Sequence, residues 1–253
     1  MRDPRSILIT GASSGIGEAL ALAYAAPGAH LALTGRNAAR LDAVAGACRE
    51  KGAAATSALI DVTAHDAMAR WIGERDAAAP LDLVIANAGI SAGTGRLGES
   101  DAQARDIMAV NLDGVMNTVL PALEGFRARR RGQVAIVSSL AGFRGIPGAP
   151  AYCASKAAVK VWGESLRGHL APEGIGVTVI CPGFVVSRMT AVNQFPMPLL
   201  MEVERAAAII KRGLARNKAR IVFPRRLAAA VWLLAALPPA LTDPLLSRLP
   251  KKG

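Results

Sequence analysis

TGASSGIG, residues 10–17, separates a short apolar run at 6–10 from an amphipathic run at 15–26. The first reads as a buried strand and the second as a helix, ended by Pro27 and Gly28. Glycines at such a junction permit a tight turn and a close approach of backbone to a ligand. The following helix N-terminus offers free N–H groups and a positive dipole end to phosphates. The spacing is Gly11-x-x-x-Gly15-x-Gly17, not the G-x-G-x-x-G of the usual dinucleotide fingerprint. An ordinary strand-to-helix turn is the plainer alternative. Its place after the first strand of an alternating chain favours a nucleotide site.

The alternation continues outward from this turn. Strands are expected at residues 30–34, 54–60, 81–86, 133–138, 177–180 and 219–223. Helices are expected at 38–50, about 63–76, 102–130 and 151–170. Thr63 and Asp66 have capping-box spacing at the start of the third helix. A break is expected near Asp113-Gly114 in the long one. The pattern predicts a single-domain α/β fold over residues 1–253, a doubly wound Rossmann-type parallel sheet of about seven strands with helices on both faces. No linker or internal repeat interrupts it.

The second strand of a dinucleotide fold ends near the adenine ribose, where an acid suits NAD and an Arg suits the 2′-phosphate of NADP. Here Thr34, Gly35, Arg36 and Asn37 supply no acid. Arg36 can pair with a phosphate dianion, or can simply open the next helix in solvent. The expectation is NADP(H) over NAD(H).

Tyr152 and Lys156 stand four apart on a predicted helix and share one face. A tyrosine with pKa near 10 is a poor base at neutral pH, and a neighbouring ammonium favours its phenolate. Alone, the pair could be an ordinary helix-surface contact. Its surroundings point to chemistry. Ser138 and Ser139, Asn87-Ala88-Gly89 and Pro182-Gly183 each end a predicted strand at the carboxyl edge, where such sheets bind ligands. Asn111 interrupts a helix in which Asn is a mediocre former.

Together TGASSGIG, Asp61-Val62, Asn87–Gly89, Asn111, SSLAG (138–142), YCASK (152–156) and Pro182-Gly183 resemble the short-chain dehydrogenase/reductase family over residues 6 to about 190. The resemblance implies that Tyr152 is the catalytic acid/base. Lys156 would lower its pKa and hold the nicotinamide ribose, and Ser139 would orient the substrate oxygen, with Ser138 as fallback. Asn111 would hold a water that relays protons to Lys156. Gly11, Ser13, Ser14, Gly15, Ile16 and Gly17 would form the pyrophosphate turn, and Arg36 and Asn37 the 2′-phosphate site. Asp61 and Val62 would flank the adenine, and Asn87, Ala88 and Gly89 the ribose. Pro182, Gly183, Val185 and Ser187 would border the nicotinamide. Ala86 and Ser187 stand where the family often has Asn and Thr. Enoyl reductases of this fold space Tyr and Lys more widely, so carbonyl or alcohol chemistry is implied.

Beyond Ser187 the resemblance fades. Residues 188–215 read as a substrate lid or as a helix on the core. Phe143, Phe184, Met189 and Phe195 are candidates for an apolar pocket wall. Residues 225–253 are apolar with basic ends, from Arg225-Arg226 through Trp232 to Lys251 and Lys252. Such a segment can lie in a membrane interface, cover its own active site or meet a partner subunit. The substrate class expected is a small apolar ketone or alcohol. The alternatives are a lipid-acting reductase at the membrane surface and a non-catalytic cofactor-binding regulator.

The net charge is +11, with Arg129, Arg130 and Arg131 as the densest run. That run reads as a solvated helix end. Aromatics are 4% of residues and do not interleave with basic runs, so no nucleic-acid partner is expected. Cys48, Cys153 and Cys181 suit neither zinc nor a disulfide framework, and no metal site is expected. Met1 to Arg5 are short and polar, without a signal peptide. A cytoplasmic location, with possible membrane association, is expected. A homodimer or homotetramer through helices 102–130 and 151–170 is implied by the family resemblance.

Overall fold

The computed structural model describes residues 3–91, 99–193 and 195–247. In chain order the elements begin β1 (Ser6–Ile9), α1 (Gly15–Tyr24), β2 (His30–Gly35), α2 (Ala38–Glu50), β3 (Ala54–Leu59), α3 (His65–Ala78) and β4 (Leu83–Ala86). Then follow α4 (Asp101–Met108), α5 (Gly114–Arg129), β5 (Gly132–Val137), α6 (Pro150–Leu170) and β6 (Ile175–Pro182). The chain continues with α7 (Arg188–Ala191), α8 (Val203–Ala215), β7 (Arg220–Phe223), α9 (Arg225–Ala236) and α10 (Pro239–Leu246).

All seven strands pair parallel in the order β3-β2-β1-β4-β5-β6-β7. Strand side chains alternate between two cores, as a period of two requires. Ile7 and Ile9 pack on one face with α1, α2 and α8, while Leu8 packs on the other with α3 and α5. The strand order reverses between β1 and β4. The crevice beyond their carboxyl ends is where an open sheet of this kind accepts ligands.

The structure overturns one local expectation and refines others. The Thr63–Asp66 capping box does not form. Asp61 captures both the Thr63 N–H (2.9 Å) and its hydroxyl (2.8 Å), and α3 opens at His65 without a side-chain cap. Capping boxes do form at Ser100–Gln103 and Ser187–Thr190. The break near Asp113-Gly114 is a π-helical segment, Ala109–Asp113, in which the Gly114 N–H reaches back to the Ala109 carbonyl. A β-carbon on Gly114 would meet Val62 Cγ2 at 2.5 Å, so the glycine lets this helix close on the loop after β3.

The arginine run is more than a solvated end. Arg129 makes two bonds to Asp76 (2.8 and 2.7 Å), Arg130 donates to the Pro172 carbonyl and Arg131 pairs with Asp82. These ties fasten the end of α5 to α3, to the turn before β4 and to the end of α6. The 188–215 stretch divides in two. Residues 186–193 and 195–200 lie in a loop around α7 whose base is closed where Val185 pairs with Met201, whereas Ala206, Ala207, Ile210 and Leu214 of α8 enter the core. Among the described residues no helix is long and apolar enough to cross a membrane.

Candidate active site

A cleft of about 970 Å³ runs along the carboxyl edge of the sheet. Every residue assigned to the site from sequence lines it except Gly17, Asn111 and Phe143.

At one end lies the glycine turn. Gly11 and Gly15 adopt positive φ (65° and 60°), which an L side chain resists. A β-carbon on Gly11 would lie 2.8 Å from Ala88 Cα, so the turn sits directly on the loop after β4. Asn87 braces it by donating to the Thr10 and Gly11 carbonyls at 3.0 and 3.2 Å. Thr10, which sequence reasoning passed over, accepts through its hydroxyl from the Asn87 and Ala88 N–H groups. Helix α1 starts at Gly15 with no side-chain cap on its first N–H groups. Such uncapped donors beside a bare glycine cradle suit a pyrophosphate.

Beyond β2, Arg36 is exposed and 3.8 Å from Asp61. Burial pushes the Asp61 carboxyl up, but the Thr63 N–H and hydroxyl, with Arg36, hold it below its ordinary value. Asn37 lines the cleft but spends its side-chain oxygen as the cap of α2, accepting from the Arg40 N–H at 3.0 Å. Arg40 also lines the cleft, and its buried Nε has no partner. No spacing signal singled it out.

Ser139, Tyr152 and Lys156 meet at the cleft floor. Ser139 Oγ lies beside the Tyr152 hydroxyl, close enough to favour its phenolate, and accepts from the Ala141 N–H at 3.1 Å. Ser138 instead donates to the Lys156 carbonyl at 2.7 Å and is buried, which removes it as the fallback. Lys156 Nζ donates to the Val137 carbonyl at 2.9 Å and lies 5.8 Å from the Tyr152 ring centre. The expectation that Lys156 lowers the tyrosine's pKa is not met in the field of the protein alone. Burial pushes Tyr152 up, the Ser139 hydrogen bond only partly offsets it, and Lys156 is itself depressed by burial to about 8.

That depression carries a stability prediction. The unfolded lysine titrates near 10.5 and the folded one near 8. Below the folded value both states hold the proton. Between the two values the unfolded chain binds more protons, so stability rises with pH. Urea unfolding at about pH 7 and about pH 10 should show wild type gaining roughly 2–3 kcal/mol relative to Lys156→Met. Parallel pH profiles for the two proteins would refute the buried-charge assignment.

Asn111 lies behind the floor, fully buried. Its side chain accepts from the Ile90 N–H and donates to the Ile90 carbonyl and to Ser155 Oγ (2.8, 2.9 and 3.0 Å). Ser155 in turn donates to the Tyr152 carbonyl. The amide is therefore a strut from the β4 loop to the helix carrying Tyr152, with its donors spent inside the protein.

The far wall is apolar. Phe184 and Phe195 meet edge to face at 6.1 Å, beside Met189. Phe143 is a correction: it does not line the cleft but packs against Leu140, Val179 and Cys181, with Lys160 and Arg220 over its ring. Its place on the wall goes to Leu227, Val231 and Leu234 of α9 and Leu246 of α10. Gly183 admits α9, since a β-carbon there would touch Leu227 Cδ2 and Pro224 Cδ at 3.0 Å. Arg144 secures α10 by donating to Thr242 Oγ1 (2.9 Å) and Asp243 (2.8 Å). Of the three roles open to the tail, covering its own cleft is the one its described residues show.

The chain is similar to known proteins over most of its length. The family model for short chain dehydrogenase matches residues 5–195. An uncharacterized oxidoreductase of Myxococcus xanthus is 41% identical over 246 residues, 97% of each chain. An uncharacterized oxidoreductase of Mycobacterium tuberculosis is 36% identical over 244 residues, 94% of this chain and 96% of the other. Among solved structures, a short-chain dehydrogenase from Sphingobium yanoikuyae in complex with NADPH is 26% identical. It superposes with a TM-score of 0.81 over 98% of this chain and 97% of that one.

Proposed function

Because the chain belongs to the short-chain dehydrogenase family, we propose that it is an NADP(H)-dependent oxidoreductase acting on an apolar ketone or secondary alcohol. The observation that carries this reading is that Ser139, Tyr152 and Lys156 line one cleft between the glycine turn and an apolar wall. The bare cradle at Gly11 and Gly17, the uncapped α1 N-terminus and the basic pair Arg36 and Arg40 fit a phosphorylated dinucleotide. When bound, it supplies the hydride chemistry. The chain's own residues manage the oxygen and its proton. Ser139 positions the carbonyl oxygen through its hydroxyl. Tyr152 gives that oxygen a proton. A phenol held above its ordinary pKa stays protonated at neutral pH, which suits reduction of a ketone. Lys156 supports the floor from Val137, and Asn111 positions Tyr152 through Ser155. We place the enzyme in the cytoplasm as a homo-oligomer, paired through α4–α5 and α6, where Leu120 and Val161 are exposed.

Two measurements test this. Aliphatic and steroid-like ketones should be reduced with NADPH in preference to polyhydroxylated ketones, and NADH should serve poorly. Arg36→Ala should weaken NADPH binding about 10- to 100-fold, the range for losing a charge-assisted bond, and change NADH binding little. Equal loss with both cofactors would remove Arg36 from the 2′-phosphate site. No turnover of any carbonyl with either cofactor, alongside retained NADPH binding, would favour the non-catalytic regulator.

A further inference from the structure

Helix α9 is apolar on both sides. Leu227, Ala230, Val231 and Leu234 face the cleft. The opposite side carries Trp232 and Leu233, which are 63% and 57% exposed. Leu237, before α10, and Leu241 and Leu245 within it are also exposed. A helix apolar all round belongs either in a core or against lipid, and five large exposed apolar side chains between residues 232 and 245 exceed scattered surface hydrophobicity. The platform is anchored. Thr242 and Leu246 are buried, and Arg144 ties α10 to the loop after β5.

Charge selects the occupant. Residues 225–253 contain five basic residues, Arg225, Arg226, Arg248, Lys251 and Lys252, against one acid, Asp243. Arg225 and Arg226 are exposed at the start of α9, and Asp243 is engaged by Arg144. A second copy meeting this surface by two-fold symmetry would set the same basic patch against itself. An anionic bilayer meets both features at once, accepting Trp and Leu at its interface and drawing the arginines to its headgroups.

We propose that the outer face of α9 and α10 docks the protein on an anionic membrane surface, so that the helix walling the cleft rests on the bilayer. The reading does not depend on the reaction assigned above, and its test does not use turnover. The full chain is floated with vesicles of phosphatidylglycerol and phosphatidylcholine in equal parts, and with phosphatidylcholine alone. It should rise with the anionic vesicles only, and return to the bottom fraction at high salt. Trp232→Glu with Leu241→Glu should lower the bound fraction about 10-fold or more. Arg225→Gln with Arg226→Gln, which disturbs no packing, should weaken it as well and serves if the glutamate variant fails to fold. NADPH binding should be unchanged in both, because none of these residues lines the cleft. Three results overturn the proposal: no flotation of the full chain, equal flotation on both vesicle types, or flotation insensitive to both variants. A concentration-dependent dimer that Trp232→Glu dissolves, without flotation, would assign the face to a second copy instead.

Discussion

Tyr152→Phe is expected to lower turnover about 10³-fold while leaving NADPH affinity within about two-fold. The variant removes one oxygen and keeps the ring. Tyr152 lies near the start of the 21-residue α6, whose position is secured by Asn111 through Ser155 and by Ser138 on the Lys156 carbonyl. None of those bonds uses the phenol. The cleft should therefore keep its shape, and single-turnover measurements should place the defect in the chemical step. Ser139 would lose its hydroxyl partner but keep the Ala141 N–H, so the turn after β5 should stand. Ser138→Ala is the matched control. It should cost stability, through the buried hydrogen bond to the Lys156 carbonyl that it removes, and spare the chemistry. A Tyr152→Phe protein retaining more than about a tenth of wild-type turnover would mean that another group donates the proton, since general acids contribute 10²-fold or more.

Gly17→Ala should abolish tight cofactor binding although Gly17 lines no part of the cleft. A β-carbon there would lie 2.3 Å from the Gly11 carbonyl oxygen and 2.6 Å from Asn87 Nδ2. Neither neighbour can yield cheaply. The first is backbone at positive φ, and the second is the amide that bridges the Thr10 and Gly11 carbonyls. The methyl must spread the turn from the loop after β4, at an overpacking cost of roughly 1–3 kcal/mol and with the phosphate cradle displaced. Calorimetry should show NADPH affinity falling about 100-fold, equivalent to nearly 3 kcal/mol, together with a lower melting temperature. Gly46→Ala is the comparison, because nothing lies within 4 Å of a β-carbon there. It sits inside α2 and should stabilise by up to about 1 kcal/mol. If the two variants bind NADPH alike, the close approach of Gly17 to the turn is not what shapes the site.

Much of the fold and of the candidate site was legible in sequence because the signals are short-range. A buried parallel strand is a continuous apolar run, a helix has its own period, and a glycine turn is read within eight residues. Tyr152 and Lys156 share a helix face at any tertiary placement, and Ser139 and Asn87 are marked by ending strands. Legibility fails where a side chain has two uses within the same spacing. Asn37 follows Arg36 whether it binds phosphate or caps α2, and only the packed turn shows its oxygen spent on the Arg40 N–H. Thr63 and Asp66 have capping-box spacing, but Asp61 reaches Thr63 first.

The sequence by itself determined the doubly wound sheet, the glycine turn at its switch point and the Ser139, Tyr152 and Lys156 set, because each depends on residues close in the chain or at the ends of recognisable strands. Only the tertiary structure decided what faces those groups. Phe143 packs against Leu140, Val179 and Cys181 and does not line the cleft, where Leu227, Val231 and Leu234 take the wall instead. Arg144 finds Asp243 across 99 residues of chain, which draws the tail over its own site. The direction of the Tyr152 and Lys156 shifts was likewise a tertiary matter. Spacing puts a cation beside a phenol and predicts a lowered pKa. Burial acts on both groups through everything packed around them, and here it dominates, keeping the phenol protonated and depressing the ammonium.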